Sequence, residues 1–459
     1  MNNRLTQASA AIILMACMSF GSPLLAQSGS ADASSAPVTA TIIAREVTVV
    51  DGDTLAAISA RELGKAGYAA QLAEFNQLVV DAPLTPGDII RIPILVAGEA
   101  ESAQVVFVKG TVIITRPGAA AASTADTGDD AADATVFDLE RDFDVYPGDT
   151  ILTSSDGYVS IEFSSGSVIN LQPDTEATLS LLACLPENDD CIIEITTYKG
   201  KITSDVNKRD EQDVDFRIST PYASAAVRGT MFDVEASEVL RVGVTEGSVD
   251  LNAQQQSVDL ESGFGSVVEE GQPPAAPVPL LPAPVFKRVP TRMAPGDNVA
   301  WWPFTDADAY IARLANDEAG VETLASYDTL IDQLEVTGVE AGDYYLLLRA
   351  VDGNGLRGFT SNTRLTIADI DNSIAPVNTL ITRQGQEFLV EVQNPATNAI
   401  GYEIQIASTL DFDDPLSVDV NATGTAVFRV DDDQVFSRAR ALLDPYTVSA
   451  FGDISGSDD

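Results

Sequence analysis

The sequence predicts a multidomain, mainly β protein: a small βααβ module, then an all-β domain, then two β-sandwiches. Three observations predict this. Helical spacing of apolar residues is confined to a short stretch, where Leu55 and Ile58 are followed by Tyr68, Leu72 and Phe75. Apolar and polar residues alternate in strand-length runs over the next 160 or so positions. The C-terminal region then repeats one strand-and-turn pattern twice.

Before the first module lies MNNRLTQASAAIILMACMSFGSPLLAQ. One positive charge at Arg4, an apolar run from Ala8 to Phe20 and small residues before Gln27 give the pattern of a secretory signal peptide over 1–26. Cleavage after Ala26 is favoured over a lipoprotein signal with Cys17 as the acylated residue. The apolar run is too short for a comfortable membrane span. Residues 27–40 are a Ser/Ala-rich linker. The expected location is the periplasm or the cell wall.

The chain of 459 residues holds 26 basic and 69 acidic side chains, a formal charge of −43. Nucleic acid and anionic membrane surfaces are excluded as partners of the whole molecule. There is no histidine. The usual general base, the usual zinc ligand and every histidine-based triad are therefore missing. No catalytic residue, metal ligand or cofactor is assigned. Beyond the signal, two cysteines remain, Cys184 and Cys191, bracketing LPENDD. In an oxidising compartment they are expected to form one disulfide.

The first module spans 41–96. EVTVV reads as a strand, Leu55 to Leu63 as a helix, Tyr68 to Phe75 as a second helix, and IIRIPI after Pro86-Gly87-Asp88 as a closing strand. Asp53 or Thr54 sits where a helix N-cap belongs. The acids of VVDGDT do not have calcium-loop spacing. This segment resembles a LysM domain along its full length, through V-V-D-G-D-T-L-A-A-I, Phe75-Asn76 and P-G-D-I-I-R-I-P. The resemblance implies binding of glycans that contain N-acetylglucosamine, chiefly peptidoglycan. It places the groove between two loops: Gly52, Asp53, Thr54 and Leu55 on one side, Asp81, Ala82, Pro83 and Leu84 on the other.

The second module spans 103–270. YVSIEFSSGSVINL (158–171) reads as a half-buried hairpin, and similar runs recur to residue 251. The segment 118–135 reads as a disordered insertion. The module resembles the FecR domain, through Lys109-Gly110-Thr111-Val112, Pro147-Gly148-Asp149-Thr150, F-S-S-G-S-V-I-N-L, Tyr198-Lys199-Gly200-Lys201-Ile202, T-P-Y-A-S-A-A-V-R-G-T-M-F-D-V and T-E-G-S-V. The resemblance implies the fold and not the sigma-factor role of the namesake. Arg228, a lone base in an apolar stretch, is read as structural, with Gly229 permitting a tight turn.

Residues 271–290 form a proline-rich spacer, expected to be extended. Two repeats follow, over 291–370 and 371–452. DADAYIARLA (306–315) aligns with NAIGYEIQIA (398–407), and YYLLLRAVDGNGLRGFTSN (344–362) aligns loosely with SRARALLDPYTVSAFGD (437–453). They resemble tandem fibronectin type III-like or immunoglobulin-like sandwiches. Trp301 and Trp302 suit core or seam packing better than stacking on sugar. Residues 453–459 read as a disordered tail.

The combined reading is an exported peptidoglycan-binding protein displaying a FecR-like domain, a non-enzymatic envelope scaffold with a possible envelope protein as second partner. The alternative is a periplasmic sensor or regulator acting through the FecR-like domain.

Overall fold

The computed structural model describes residues 41–457 except 51, 64–68, 77, 80–82, 97–100, 118–134, 185–190, 207–213, 222 and 413. The signal segment and the insertion at 118–134 lie outside the described residues.

In the first module β1 (Thr41–Thr48) pairs antiparallel with β2 (Ile89–Val96), and α1 (Leu55–Leu63) and α2 (Ala69–Phe75) lie between them in the chain. Its small core gathers Val49, Leu55, Ile58, Leu72, Ile90 and Ile92, all nearly inaccessible to solvent. These are the residues whose helical and strand spacing put them on one side.

The second module contains β3 (Ala103–Lys109), β4 (Val112–Arg116), β5 (Thr135–Asp138), β6 (Asp144–Val145), β7 (Thr150–Thr153), β8 (Tyr158–Glu162), β9 (Val168–Leu171), β10 (Glu176–Cys184), β11 (Cys191–Asp205), β12 (Val214–Ser219), β13 (Ser224–Ala236), β14 (Val239–Ala253), β15 (Gln256–Glu261), β16 (Phe264–Glu269) and β17 (Val278–Pro279). Three long strands organise it by changing partners along their length. β11 pairs with β10 and, in parallel, with β12 in its first half, and with β9 and β13 in its second. β13 leaves β12 for β11, and β14 leaves β16 for β15. A glycine stands at each change: Gly200 at φ 105°, Gly229 within a β-bulge, and Gly247 at φ 77°. Positive φ at Gly200 and Gly247 is a backbone state that a Cβ opposes, and a glycine inside a strand commonly marks a bulge, as at Gly229. The expected turn at Gly229 is thus an irregularity inside one continuous strand, between Arg228 and Met231. The strand survives because Met231 to Glu235 regain pairing with β14 beyond the bulge. The Arg228 side chain lies outside the described residues.

The first sandwich packs a sheet of β18 (Phe286–Arg288), β19 (Val299–Trp301) and β22 (Gln333–Leu334) on one of β20 (Ala309–Ala315), β21 (Thr323–Thr329), β23 (Gly342–Val351) and β24 (Ser361–Ile367). The second uses β26 (Thr379–Gln384), β27 (Glu387–Val392) and β30 (Thr425–Arg429) against a larger sheet. That sheet holds β25 (Asp369–Ile370), β28 (Gly401–Ala407), β29 (Leu416–Asn421), β31 (Phe436–Asp444), β32 (Thr447–Val448) and β33 (Ser455–Gly456). The protein is multidomain and mainly β. The aligned repeats occupy equivalent places: β20 and β28 are central strands, and each pairs with the second repeat strand, β23 and β31.

Two expectations need correction. The proline-rich stretch is not a free spacer. Val278–Pro279 pairs with β16, Phe286–Arg288 pairs with β19, and the Leu280 amide donates to Gly263 O at 2.8 Å. Prolines fit there because these are edge positions that need few ladder donors. The C-terminal tail is likewise tied down: Ser455 and Gly456 pair with β31, and Ser455 Oγ donates to Thr379 O at 2.6 Å.

One turn recurs across the molecule. At Val50–Asp53, Thr85–Asp88, Tyr146–Asp149 and Ala294–Asp297, the fourth amide donates to the first carbonyl at 3.0, 2.9, 3.0 and 2.9 Å. The third residue is a glycine with φ between 87° and 97°. The aspartate carboxylate then accepts the first residue's amide, at 3.2, 2.9, 2.8 and 3.0 Å. Each Gly-Asp pair is therefore a self-clasped turn, with glycine supplying the positive φ. In two cases the carboxylate also recruits an arginine. Arg116 engages Asp149 at 2.7 and 2.8 Å, and Arg440 engages Asp297 at 2.8 Å.

The modules meet through buried charge. Asp233 of β13 pairs with Arg349 of β23 and lies 3.9 Å from Arg357, while Arg357 bonds Glu235 at 3.0 Å. At the next seam Arg440 of β31 bonds Glu403 at 2.7 Å and Asp297 at 2.8 Å, and donates to Arg292 O at 2.8 Å. Arg349 stands opposite Ile311, and Arg440 opposite Glu403. Residues 311 and 403 align in the repeat. The two arginines thus hold the same position in successive sandwiches, and each faces the module before it.

Candidate glycan-binding site

The site is built on the two self-clasped turns of the first module. The Val49 amide donates to Asp88 O and the Gly87 amide to Val49 O, both at 2.8 Å. These bonds hold the loop after β1 beside the turn before β2. Gly52 is exposed at φ 87°, with nothing within 4 Å of an added Cβ. A side chain there would meet no neighbour, but it would strain the backbone by about 1–2 kcal/mol.

The helix cap falls on Thr54. Its Oγ1 accepts the Ala57 amide at 3.1 Å, and its carbonyl accepts the Ile58 amide at 2.9 Å. Asp53 instead closes the turn, accepting the Val50 amide at 3.2 Å. Leu55 is 2 % exposed and belongs to the core, so only its backbone is open to a ligand. On the other rim Pro83 is exposed and Leu84 packs against the same core as Leu55. The two rims therefore share one foundation. Asp81 and Ala82 lie outside the described residues.

Sequence reasoning left out two features. Asn76 is a clamp: its Nδ2 donates to Leu72 O at 2.8 Å and Arg91 O at 2.7 Å, and its Oδ1 accepts the Arg91 amide at 2.6 Å. It fastens the end of α2 to β2. Val50 and Val79 flank the two loops and remain 57 % and 75 % exposed. Apolar residues open to solvent beside exposed backbone amides suit the methyl and the carbonyl of an N-acetyl group. Val50 falls outside the alternation of EVTVV, which is the signal that could have marked it.

Residues 47–93 match the family model of the LysM domain, and residues 149–250 match that of the FecR protein. The chain carries a LysM domain followed by a FecR domain. Among solved structures, a candidate anti-sigma factor from Parabacteroides distasonis aligns at 17% identity and TM-score 0.24, covering 28% of this chain and 59% of that one. Two fibronectin type III domains of chicken tenascin align at 12% identity and TM-score 0.17, covering 38% and 98%. The FN1–FN3 domains of chicken CNTN1 align at 12% identity and TM-score 0.17, covering 51% and 93%. No curated protein matches.

The LysM module implies glycan binding, and both recognised domains belong to binding or regulatory families. Among the described residues no group of side chains is arranged to hold a metal ion, and no helix is long and apolar enough to cross a membrane. Of the tryptophan pair, Trp301 is buried against Tyr310 with ring centroids 5.2 Å apart, whereas Trp302 is exposed beside Lys287. Cys191 is disulfide-bonded, and the residue opposite it in the β10–β11 ladder is Cys184.

Proposed function

We propose that this is an exported, non-enzymatic envelope scaffold that binds peptidoglycan through the LysM domain. The observation that carries the reading is the match of residues 47–93 to the LysM model on a folded βααβ module. Backbone groups of Gly52, Asp53, Thr54 and Leu55 form one rim of the groove, and residues 81–84 form the other. Residues 1–26 direct export and are removed. In the oxidising compartment Cys184 and Cys191 bond each other. Units 103–270, 291–370 and 371–452 form the displayed arm, with Arg228 in a structural role.

Sedimentation with purified peptidoglycan tests the reading. The mature chain should pellet, and the chain reduced to residues 103–459 should not. Equal pelleting of both would remove the LysM domain as the anchor. A single such module buries little surface, so the dissociation constant should lie in the micromolar to millimolar range, about −8 to −4 kcal/mol. The FecR match favours a second reading, a regulator of envelope signalling. Crosslinking in the native envelope separates the two. A protein partner captured on residues 103–270 supports the regulator, and capture of wall material alone supports the scaffold.

A further inference from the structure

Around Asp233 and Glu235, the seam between the FecR domain and the first sandwich holds more cations than acids among the described residues. Five cations gather there: Lys201 and Arg241 from the FecR domain, and Arg313, Arg349 and Arg357 from the sandwich. Asp233 and Glu235 are the acids among them. Asp328, on the wall of the adjoining cavity, makes three. Five minus three leaves a surplus of two, in a chain whose formal charge is −43.

The geometry shows which donors are spare. Glu235 faces three cations at once. Arg357 bonds it at 3.0 Å; Arg241 Nη1 stands off at 3.8 Å while its Nε donates to Asn354 O at 2.7 Å, and Lys201 stands off at 3.9 Å. Those two separations exceed hydrogen-bond length. Burial, and after it the neighbouring Arg349, pushes the Arg313 guanidinium down to about 10.

Lys201, Arg241 and Arg357 all line a cavity of about 280 Å³ between the modules. It adjoins one of about 450 Å³, with which it shares Lys201, Glu235, Ile311 and Asp328. The larger cavity adds Lys199 and Asp174, one charge of each sign. Arg357 is 6 % exposed, so a charge placed against it is shielded from bulk water.

We propose that this seam cavity binds a small oxyanion, a phosphate or carboxylate group, clasped by Lys201, Arg241 and Arg357. The ligand touches both modules and so ties them together. This site is independent of the LysM groove.

Calorimetric titration of the mature chain tests the proposal, with three probes: inorganic phosphate, a dipeptide with a free carboxylate, and the same dipeptide amidated. Sodium chloride at matched ionic strength is the reference. Phosphate binding, or binding of the acid but not the amide, is expected, and which probe binds identifies the source of the anion. Lys201→Gln and Arg241→Gln should each weaken it about tenfold, the loss of one charge-assisted bond. Asp328→Asn removes an acid from the wall and should tighten binding several-fold. A purely structural role for the cations would not produce that gain, and the variant keeps the test decisive if a glutamine variant fails to fold. No heat beyond chloride from any probe, or full affinity in both glutamine variants, would overturn the proposal. So would unchanged or weaker binding by Asp328→Asn.

Discussion

Replacing Asp233 by alanine should be among the most damaging single changes in this protein. Asp233, on β13, is buried where it meets β23. Its carboxylate engages Arg349, lies 3.9 Å from Arg357, and accepts from Thr203 Oγ1 at 2.9 Å. After the substitution Arg357 keeps Glu235 at 3.0 Å. Arg349 keeps only carbonyl partners, Gly358 O at 2.6 Å and Arg357 O at 3.3 Å. Buried Arg313 loses the same acid, so the cost is at least that of one buried cation left without a counter-charge, about 3–5 kcal/mol. For a cooperative unit of 150–250 residues, this lowers the melting temperature by roughly 6–20 °C at about 2–4 °C per kcal/mol. Differential scanning calorimetry of the purified protein reads it. Asp433→Ala is the control: the Arg383–Asp433 pair, at 3.0 Å, is exposed and should be worth less than about 1 kcal/mol. Burial alone would raise the Asp233 pKa, but the charges of Arg349, Arg357 and Arg313 outweigh it and hold the group below the ordinary carboxylate range. A depressed folded-state pKa adds stability above the unfolded value, near 4, and loses it as pH falls through the folded value. The wild type should thus lose part of its advantage over Asp233→Ala below about pH 4. A variant that melts within about 1 kcal/mol of the wild type at neutral pH would refute the reasoning.

Three further outcomes are expected. Thr54→Ala should destabilise the LysM domain by about 1 kcal/mol, read by urea unfolding of the mature chain followed in that domain, because it removes the acceptor for the Ala57 amide; an unchanged midpoint would show that the cap is dispensable. Alkylation of protein purified under oxidising conditions, without reductant, should leave Cys184 and Cys191 unmodified by mass spectrometry, and two labelled cysteines would sink the bridge. The purified protein should release no soluble muropeptides from peptidoglycan above a heat-killed control, since the chain has no histidine and its recognised domains come from binding or regulatory families.

The mainly β class and the LysM and FecR modules were legible because the pattern that signals them is local. Leu55, Ile58 and Leu72 declare a helical side, and Val159, Ile161 and Phe163 declare a strand side, within a few residues each. What was not legible depends on distant partners. Nothing near Asp233 announces Arg349, which lies more than a hundred positions onward. The proline-rich stretch looks like a spacer until its pairing with β16 and β19 is known. In the candidate site, Gly52 and Thr54 could be read from turn and cap chemistry. The clamp at Asn76 could not, since its partner Arg91 lies fifteen positions onward on β2.

The matching arginines of the two sandwiches give the arm a polarity. Each sandwich carries its own plug, Arg349 or Arg440, and the module before it supplies an acidic socket: Asp233 on a strand, Asp297 in a self-clasped turn. Duplicating a sandwich would copy its plug automatically. The socket is not copied so faithfully. The turn joining the first two strands holds Gly296-Asp297 in the first sandwich, but Gly385-Gln386 in the second. An amide there offers no charge to an incoming guanidinium. Each sandwich thus reaches back to the module before it, so this mode of docking runs in one direction.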